Sequence, residues 1–199
     1  MPRLRIHFSK RGYACFISHI DLPILFSRAA RRAGLVPEQT QGFSPHPRTA
    51  LGPPLPVGVV GLEEPADFWF MDWHETSTQD WNDAMPAGLE ILDAREVDGV
   101  SLNKLCQAAE YEIRPLADIP ISKMTLALSA AMGETGPVLE LAGQDDAVRI
   151  VVSDIERSSA SRMVKGLTAA GLISGWGDLA ITRTGVGLWD HENRKIVRI

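Results

Sequence analysis

Leu4, Ile6 and Phe8 alternate with Arg3, Arg5 and His7, which predicts a half-buried strand over residues 3–8. On this reading His7 is a solvated or part-buried strand histidine. A Ser-Lys-Arg-Gly turn follows, and residues 13–17 read as a second short strand. The period then changes. Leu22, Leu25, Phe26, Ala29 and Ala33 recur at helical spacing, with Asp21 as N-cap, Pro23 in the first turn and Gly34 at the left-handed end. Residues 51–61 are apolar but interrupted by Pro53, Pro54 and Pro56, the mark of an edge or irregular strand. In residues 66–73, Phe68 and Phe70 alternate with Asp67, Trp69 and Met71, a strand pattern. Trp69 and Trp73 read as core aromatics or, alternatively, as a platform on which a base could stack. A short helix over 78–85, ended by Pro86-Ala87-Gly88, and a strand over 89–97 complete this half.

The order strand, helix, strand, strand, helix, strand is that of the split βαβ unit. The second half repeats it without visible sequence identity. Strands are expected over 109–115, 138–141, 148–152 and 179–189, the last weakened by Gly185 and Gly187. Helices are expected over 121–132, burying Met124, Leu128 and Ala131, and over 158–170, burying Met163, Leu167 and Ala170. The expected fold class is α+β: two tandem ferredoxin-like (βαββαβ) units, over residues 1–100 and 104–199.

The 199 residues are 45% hydrophobic and 23% charged, enough apolar material for one sizeable core or two small ones. No run of about 18 apolar residues suggests a membrane span, and the first ten residues lack the apolar core of a signal peptide. Cys15 and Cys106 form no C-x-x-C pair and read as reduced thiols of a cytoplasmic protein. The net charge of −5 conceals a polar layout. Residues 1–48 carry eight arginines and lysines against two acids, a net of +6. Residues 49–101 carry eleven acids against one arginine, a net of −10. A local basic face can meet an anion even on an acidic protein; the alternative is that the two faces serve solubility.

Polar residues without a structural duty concentrate in residues 13–62. Arg28, Arg31 and Arg32 share one side of the first helix, and like charges so spaced are unfavourable unless an anion or acids answer them. In the loop QGFSPHPR, Pro45 and Pro47 fix the backbone on both sides of His46, and Gly42 admits a positive φ. Arg28, Arg31, Arg32 and Arg48 are the candidate anion-binding residues. Asp21, Gln41, Gly42 and Phe43 are candidates for substrate recognition, and His19 and His46 for acid–base catalysis beside arginines that lower their proton affinity. His19, Asp21 and His46 are the one set that suggests a metal, but their spacing matches no metal motif, so no metal site is assigned. The phosphate-loop, dinucleotide, nucleophile-elbow and zinc-protease motifs are missing, and no C-x-x-x-C-x-x-C is present. The chain is therefore expected to hold no cofactor of its own.

The pieces FISHIDL, SRAARRAGL, QGFSPHPR and LGPPLPVGV occur in that order and resemble the radical-SAM-linked protein family. The resemblance covers about residues 3–111 and is strongest over 16–58. Its pattern of a histidine then an aspartate falls on His19 and Asp21, its arginine-rich helix on Arg28, Arg31 and Arg32, and its Q-G-F-[NS]-P-[RH]-P segment on 41–47. Members of that family are encoded beside, or fused to, a radical S-adenosylmethionine protein. The resemblance thus implies such a partner and, through gene neighbourhood, a link to RNA metabolism; it supplies no activity. Three functions remain open on the sequence: an accessory or substrate-binding protein for a radical SAM enzyme, an endoribonuclease-like enzyme using histidine acid–base chemistry, and a structural interaction subunit.

Overall fold

The computed structural model describes residues 2–133 and 138–199. The chain divides into two compact units, Met1–Lys104 and Leu105–Ile199. It is a mixed α/β protein whose strand pairings within each unit are antiparallel.

The first unit runs β1 (Arg3–Lys10), a 3-10 turn (Gly12–Phe16), α1 (Leu22–Arg32), β2 (Thr49–Leu51), β3 (Val60–Trp69), α2 (Ser77–Asp83) and β4 (Leu89–Glu96). Its strands lie in the order β4-β1-β3-β2. Alternation in β1 places Leu4, Ile6 and Phe8 against Phe26, Ala29 and Ala30 of α1 and Phe68 of β3 in one core. Trp81 of α2 lies in the middle of an aromatic cluster, 5.0 Å from Phe68, 5.2 Å from Phe70 and 5.8 Å from Phe26 between ring centroids, mostly edge to face. Its indole N–H donates to the Phe26 carbonyl at 3.1 Å, which satisfies the one polar atom of a fully buried ring.

Several expected boundaries move for identifiable reasons. The predicted strand over 13–17 is the 3-10 turn. Gly12 adopts φ +54°, and the amides of Ala14 and Ile17 return to the carbonyls of Arg11 and Ala14. The prolines after Leu51 restrict β2 to three residues, and no strand is formed from Gly52 to Val59. β3 instead begins at Val60 and passes through Pro65. The Pro65 carbonyl accepts from Gly52 N–H at 2.9 Å, so the missing proline donor also faces the side on which β2 has already ended. His7 is buried, not solvated, and its Nδ1 lies 2.9 Å from Asp93 Oδ1. Asp21 occupies the N-cap position of α1 without a capping bond; its carboxylate accepts from Ser18 Oγ at 2.5 Å. The other end of α1 is as the sequence predicts. Gly34 takes φ +80°, Gly34 N–H returns to Arg31 O and Leu35 N–H to Ala30 O, a left-handed glycine cap.

In the second unit, β5 (Ala108–Pro115), α4 (Ile121–Gly133), β6 (Val138–Gly143), β7 (Val148–Ser153), α5 (Ala160–Ala169), β8 (Leu179–Asp190) and β9 (Lys195–Arg198) follow a single-turn helix, α3 (Leu102–Leu105), at the division. The strand order is β8-β5-β7-β6, with β9 on β8. α4 buries Met124 and Leu128 as predicted, and also Met132. α5 buries Ala160, Met163, Val164 and Leu167, whereas Ala170 is exposed because it lies past the last turn. Gly166 has no Cβ where one would approach Ala131 Cβ to 2.4 Å, which lets α5 pack closely on α4. Gly187, expected to weaken the last strand, is required by it: a Cβ there would lie 2.1 Å from Val197 O of β9. The sequence reading has no counterpart for β9. An Asp190 turn builds the hairpin, its carboxylate accepting from the amides of Glu192 and Asn193 and from the Asn193 side chain. Those Asn193 bonds hold the Asp190 carboxyl below its ordinary range.

Cys15 lies buried at the 3-10 turn, its thiol donating to Lys10 O at 3.3 Å. Burial pushes its pKa above the ordinary 9.0, with Lys10 a weaker opposing influence. The sign follows: the buried neutral thiol contributes fully below the ordinary thiol value, and the contribution is lost as pH rises through the elevated one. A Cys106→Ser protein, left with Cys15, is expected to react with a thiol reagent at about pH 8 much more slowly than an exposed thiol would. Reaction at the rate of a free peptide thiol would contradict this placement.

A cationic hollow beside the first helix

Charges of the first unit divide into those that are answered and those that are not. On the strands, Arg5 of β1 and Asp67 of β3 are register partners and form a two-pronged pair, Nε to Oδ1 at 2.8 Å and Nη2 to Oδ2 at 3.0 Å. The pair is sealed, at 3% and 1% exposure. On the loop, Arg48 reaches Glu38 at 3.3 Å and lies over the Trp69 ring at 4.2 Å from the centroid. On α1, Arg32 donates to Ala84 O at 2.5 Å. Arg28 and Arg31 are exposed, and among the described residues neither guanidinium has an ion-pair or hydrogen-bond partner. The acids of residues 49–101 thus do not answer these two helix arginines. Arg31 sits in the last turn, where the helix dipole favours a cation; Arg28 lies a turn earlier, where that field has faded.

Two hollows flank α1, and Ile24 and Arg28 line both. The first, about 530 Å³, is bordered by Asp21, Ile24, Leu25, Arg28, Arg32 and Pro86. The second, about 390 Å³, is bordered by Pro23, Ile24, Ser27, Arg28, Arg31, His46, Pro47 and Thr49. Asp21 gives the first a carboxylate. The second has two guanidinium groups and an imidazole and, among the described residues, no acid in its lining. An anion is therefore better placed in the second.

The loop over residues 38–48 carries His46 to this hollow. Glu38 N–H donates to Trp69 O at 2.8 Å, Arg48 N–H to Glu38 O at 2.7 Å and Thr40 N–H to His46 O at 2.8 Å. Gln39 and Pro47 form an isolated antiparallel bridge. The result is a finger fastened at its base, with Gln41, Gly42 and Phe43 exposed at its tip and lining neither hollow. Gly42 adopts φ +134°, as the sequence suggests a glycine there would allow.

His19 lies elsewhere. It borders a crevice of about 10 Å³ with Lys10, Leu51, Gly52, Pro53 and Glu64, room for about one water. The two candidate catalytic imidazoles thus line different cavities. Trp69 and Trp73 form no open platform: Arg48 covers the first and the second packs on Phe70 at 5.2 Å. Among the described residues, no three His, Cys, Asp or Glu side chains gather into a group that could hold a metal ion.

Sequence reasoning missed Lys10 and Ser27. The sequence puts Lys10 in a turn, yet it ends β1 fully buried, its Nζ donating to Ile17 O at 2.8 Å. The signal was the alternation itself, which continues past Phe8 to Lys10 on the core face. Ser27 falls off the apolar stripe in sequence, yet it is only 7% exposed. It lies four residues from both Pro23 and Arg31, which puts it on the helix face that lines the hollow.

The fold and the hollow define a mixed α/β protein with an unanswered pair of arginines on one helix of its first unit. The chain belongs to the family described as an uncharacterized protein conserved in bacteria (DUF2344), whose model matches residues 3–153. That span includes every strand and helix of the first unit and continues through β7 of the second. No curated protein matches the chain. Among the described residues, no helix is long and apolar enough to cross a membrane.

Proposed function

We propose that this protein is an accessory, substrate-holding partner of a separate radical S-adenosylmethionine enzyme, and that its first unit binds an RNA or a similar anionic substrate. One observation carries the binding reading: among the described residues, Arg28 and Arg31 lack a partner and border the same hollow as His46, with no acid in its lining. Holding two guanidinium groups together without an acid is unfavourable by itself and becomes favourable when a phosphate answers both. The radical SAM partner rests on the ordered motifs of residues 16–58 alone. The strand orders β4-β1-β3-β2 and β8-β5-β7-β6 support reading each unit as ferredoxin-like, with α1 and the hollow borne by the first.

The test is a salt series of single-stranded RNA binding, followed by fluorescence anisotropy. Affinity should fall linearly in log–log form, and the Arg28→Ala, Arg31→Ala double variant should flatten the slope by about 1.4, at roughly 0.7 per lost phosphate contact. Binding that ignores salt, or no binding, would remove the proposal. Co-purification from native cells with and without RNase would then separate a protein partner from one bridged by nucleic acid.

An interaction role for the same unit is favoured by a different observation. Tyr13 is 93% exposed and Phe16 68%, and Val57 is tied to their turn through Gly58 N–H and Cys15 O. Such a cluster fits the docking of the enzyme partner. Partner retention should survive the double arginine replacement and be lost on Tyr13→Ser with Phe16→Ser.

A further inference from the structure

We infer that the hollow between α1 and the finger is a subsite for one nucleoside monophosphate unit, which takes the base as well as the phosphate. The inference rests on the anion-binding reading above and extends it to the chemistry of the bound group. At about 390 Å³ the space is within the roughly 300–1,000 Å³ typical of small-molecule sites. Its walls are of two kinds. Pro23, Ile24 and Pro47 present apolar surface, two of them rigid rings, while Arg28 and Arg31 supply cations at its border.

Ser27 decides what kind of molecule fits. Two helical threonines elsewhere bond back to the preceding turn: Thr125 Oγ1 donates to Ile121 O and Thr168 Oγ1 to Val164 O, each at 2.9 Å. Ser27 makes no such bond, nor any other side-chain bond among the described residues, although only 7% of the residue is exposed and it lines the hollow. Its hydroxyl oxygen is not sealed, so water can reach it, and a ligand that displaces that water must offer it a partner. A ligand with a polar edge set into an apolar slot would satisfy it. A bare phosphate would use the arginines but leave the slot and Ser27 unused, and an aliphatic acid would fill the slot and leave Ser27 unsatisfied. A nucleobase carries a flat face for the proline and isoleucine surfaces, a hydrogen-bonding edge for Ser27 and Thr49, and a linked phosphate for Arg28 and Arg31. Among the described residues, no acid lines the space to oppose that phosphate.

Calorimetric titration of the full chain with the four common ribonucleoside 5′-monophosphates, inorganic phosphate and an unphosphorylated nucleoside tests this. At least one monophosphate is expected to bind ten-fold or more tightly than phosphate or the nucleoside alone. Ser27→Ala, which improves helix propensity and so leaves the fold intact, should weaken that monophosphate by about 2- to 12-fold and leave the affinity for phosphate unchanged. A parallel arm compares a short RNA with its abasic counterpart and separates a free nucleotide from a unit of a chain. Preference for the base-bearing RNA, at an unchanged salt slope, supports a chain-borne unit; monophosphate binding with no such preference supports a free nucleotide. Equal affinity for phosphate and every monophosphate, with no effect of Ser27→Ala, overturns the subsite while leaving RNA binding through Arg28 and Arg31 standing. Binding by none of these ligands, with no salt-dependent RNA binding, overturns both. Displacement of bound RNA by an acidic peptide in the absence of any monophosphate binding overturns the subsite as well.

Discussion

Replacing Asp67 with alanine is expected to cost about 3–5 kcal/mol of unfolding free energy, because it strands a sealed guanidinium. Arg5 has 3% of its surface exposed and gives two hydrogen bonds to that carboxylate. Arg3 Nε, 3.9 Å from Asp67 Oδ2, loses its acid in the same step. The desolvation of Arg5 would then stand uncompensated, which is far worse than the loss of a surface pair, whose value is at most about 1 kcal/mol. A second protein separates this account from simple packing loss. Arg5→Met with Asp67→Leu removes both charges and fills the space with apolar side chains, and it should recover most of the loss or exceed the parent. Urea midpoints at an unchanged denaturant slope are the measurement. If the double variant is as unstable as the single one, the buried charge is not the cause.

The second large effect is at Trp81. Trp81→Ala should lose about 3–5 kcal/mol, since the ring is fully buried and meets Phe26, Phe68, Phe70 and Trp73 at once. Trp81→Phe should fall between, keeping an aromatic ring but giving up the bond to the Phe26 carbonyl, worth about 0.5–1.5 kcal/mol. Because that carbonyl belongs to α1, the change should also loosen the helix that carries Arg28 and Arg31. Hydrogen exchange of the α1 amides would report it; exchange in α1 unchanged by Trp81→Ala would refute the link between α2 and the hollow.

The elements with a strict period were legible. Leu4, Ile6 and Phe8 face the core of the first unit, and the α1 stripe ends in its glycine cap as the sequence indicates. What failed was local and has physical causes. Gly12 and two backbone bonds turned an apparent strand into a 3-10 turn, and three prolines restricted β2 to three residues. Pro65 sat inside β3 only because its neighbour strand stops there, which a single strand's sequence does not reveal. At the site, the sequence marked Arg28, Arg31 and His46 but could not separate them from Arg32, Arg48 and His19. The difference lies in partners distant along the chain: Ala84 for Arg32, Glu38 and Trp69 for Arg48, and the Lys10 and Glu64 crevice for His19.

The fastening of the finger has a consequence for its tip. Every backbone bond that holds it lies at or outside Thr40 and His46, so residues 41–45 hang from a closed clasp. The stretch is held only at its ends. Lengthening it adds only loop entropy, about 0.6 kcal/mol for each doubling, and a chain cut there leaves both ends held in place. An insertion after Phe43 is expected to leave His46 at its post beside the hollow.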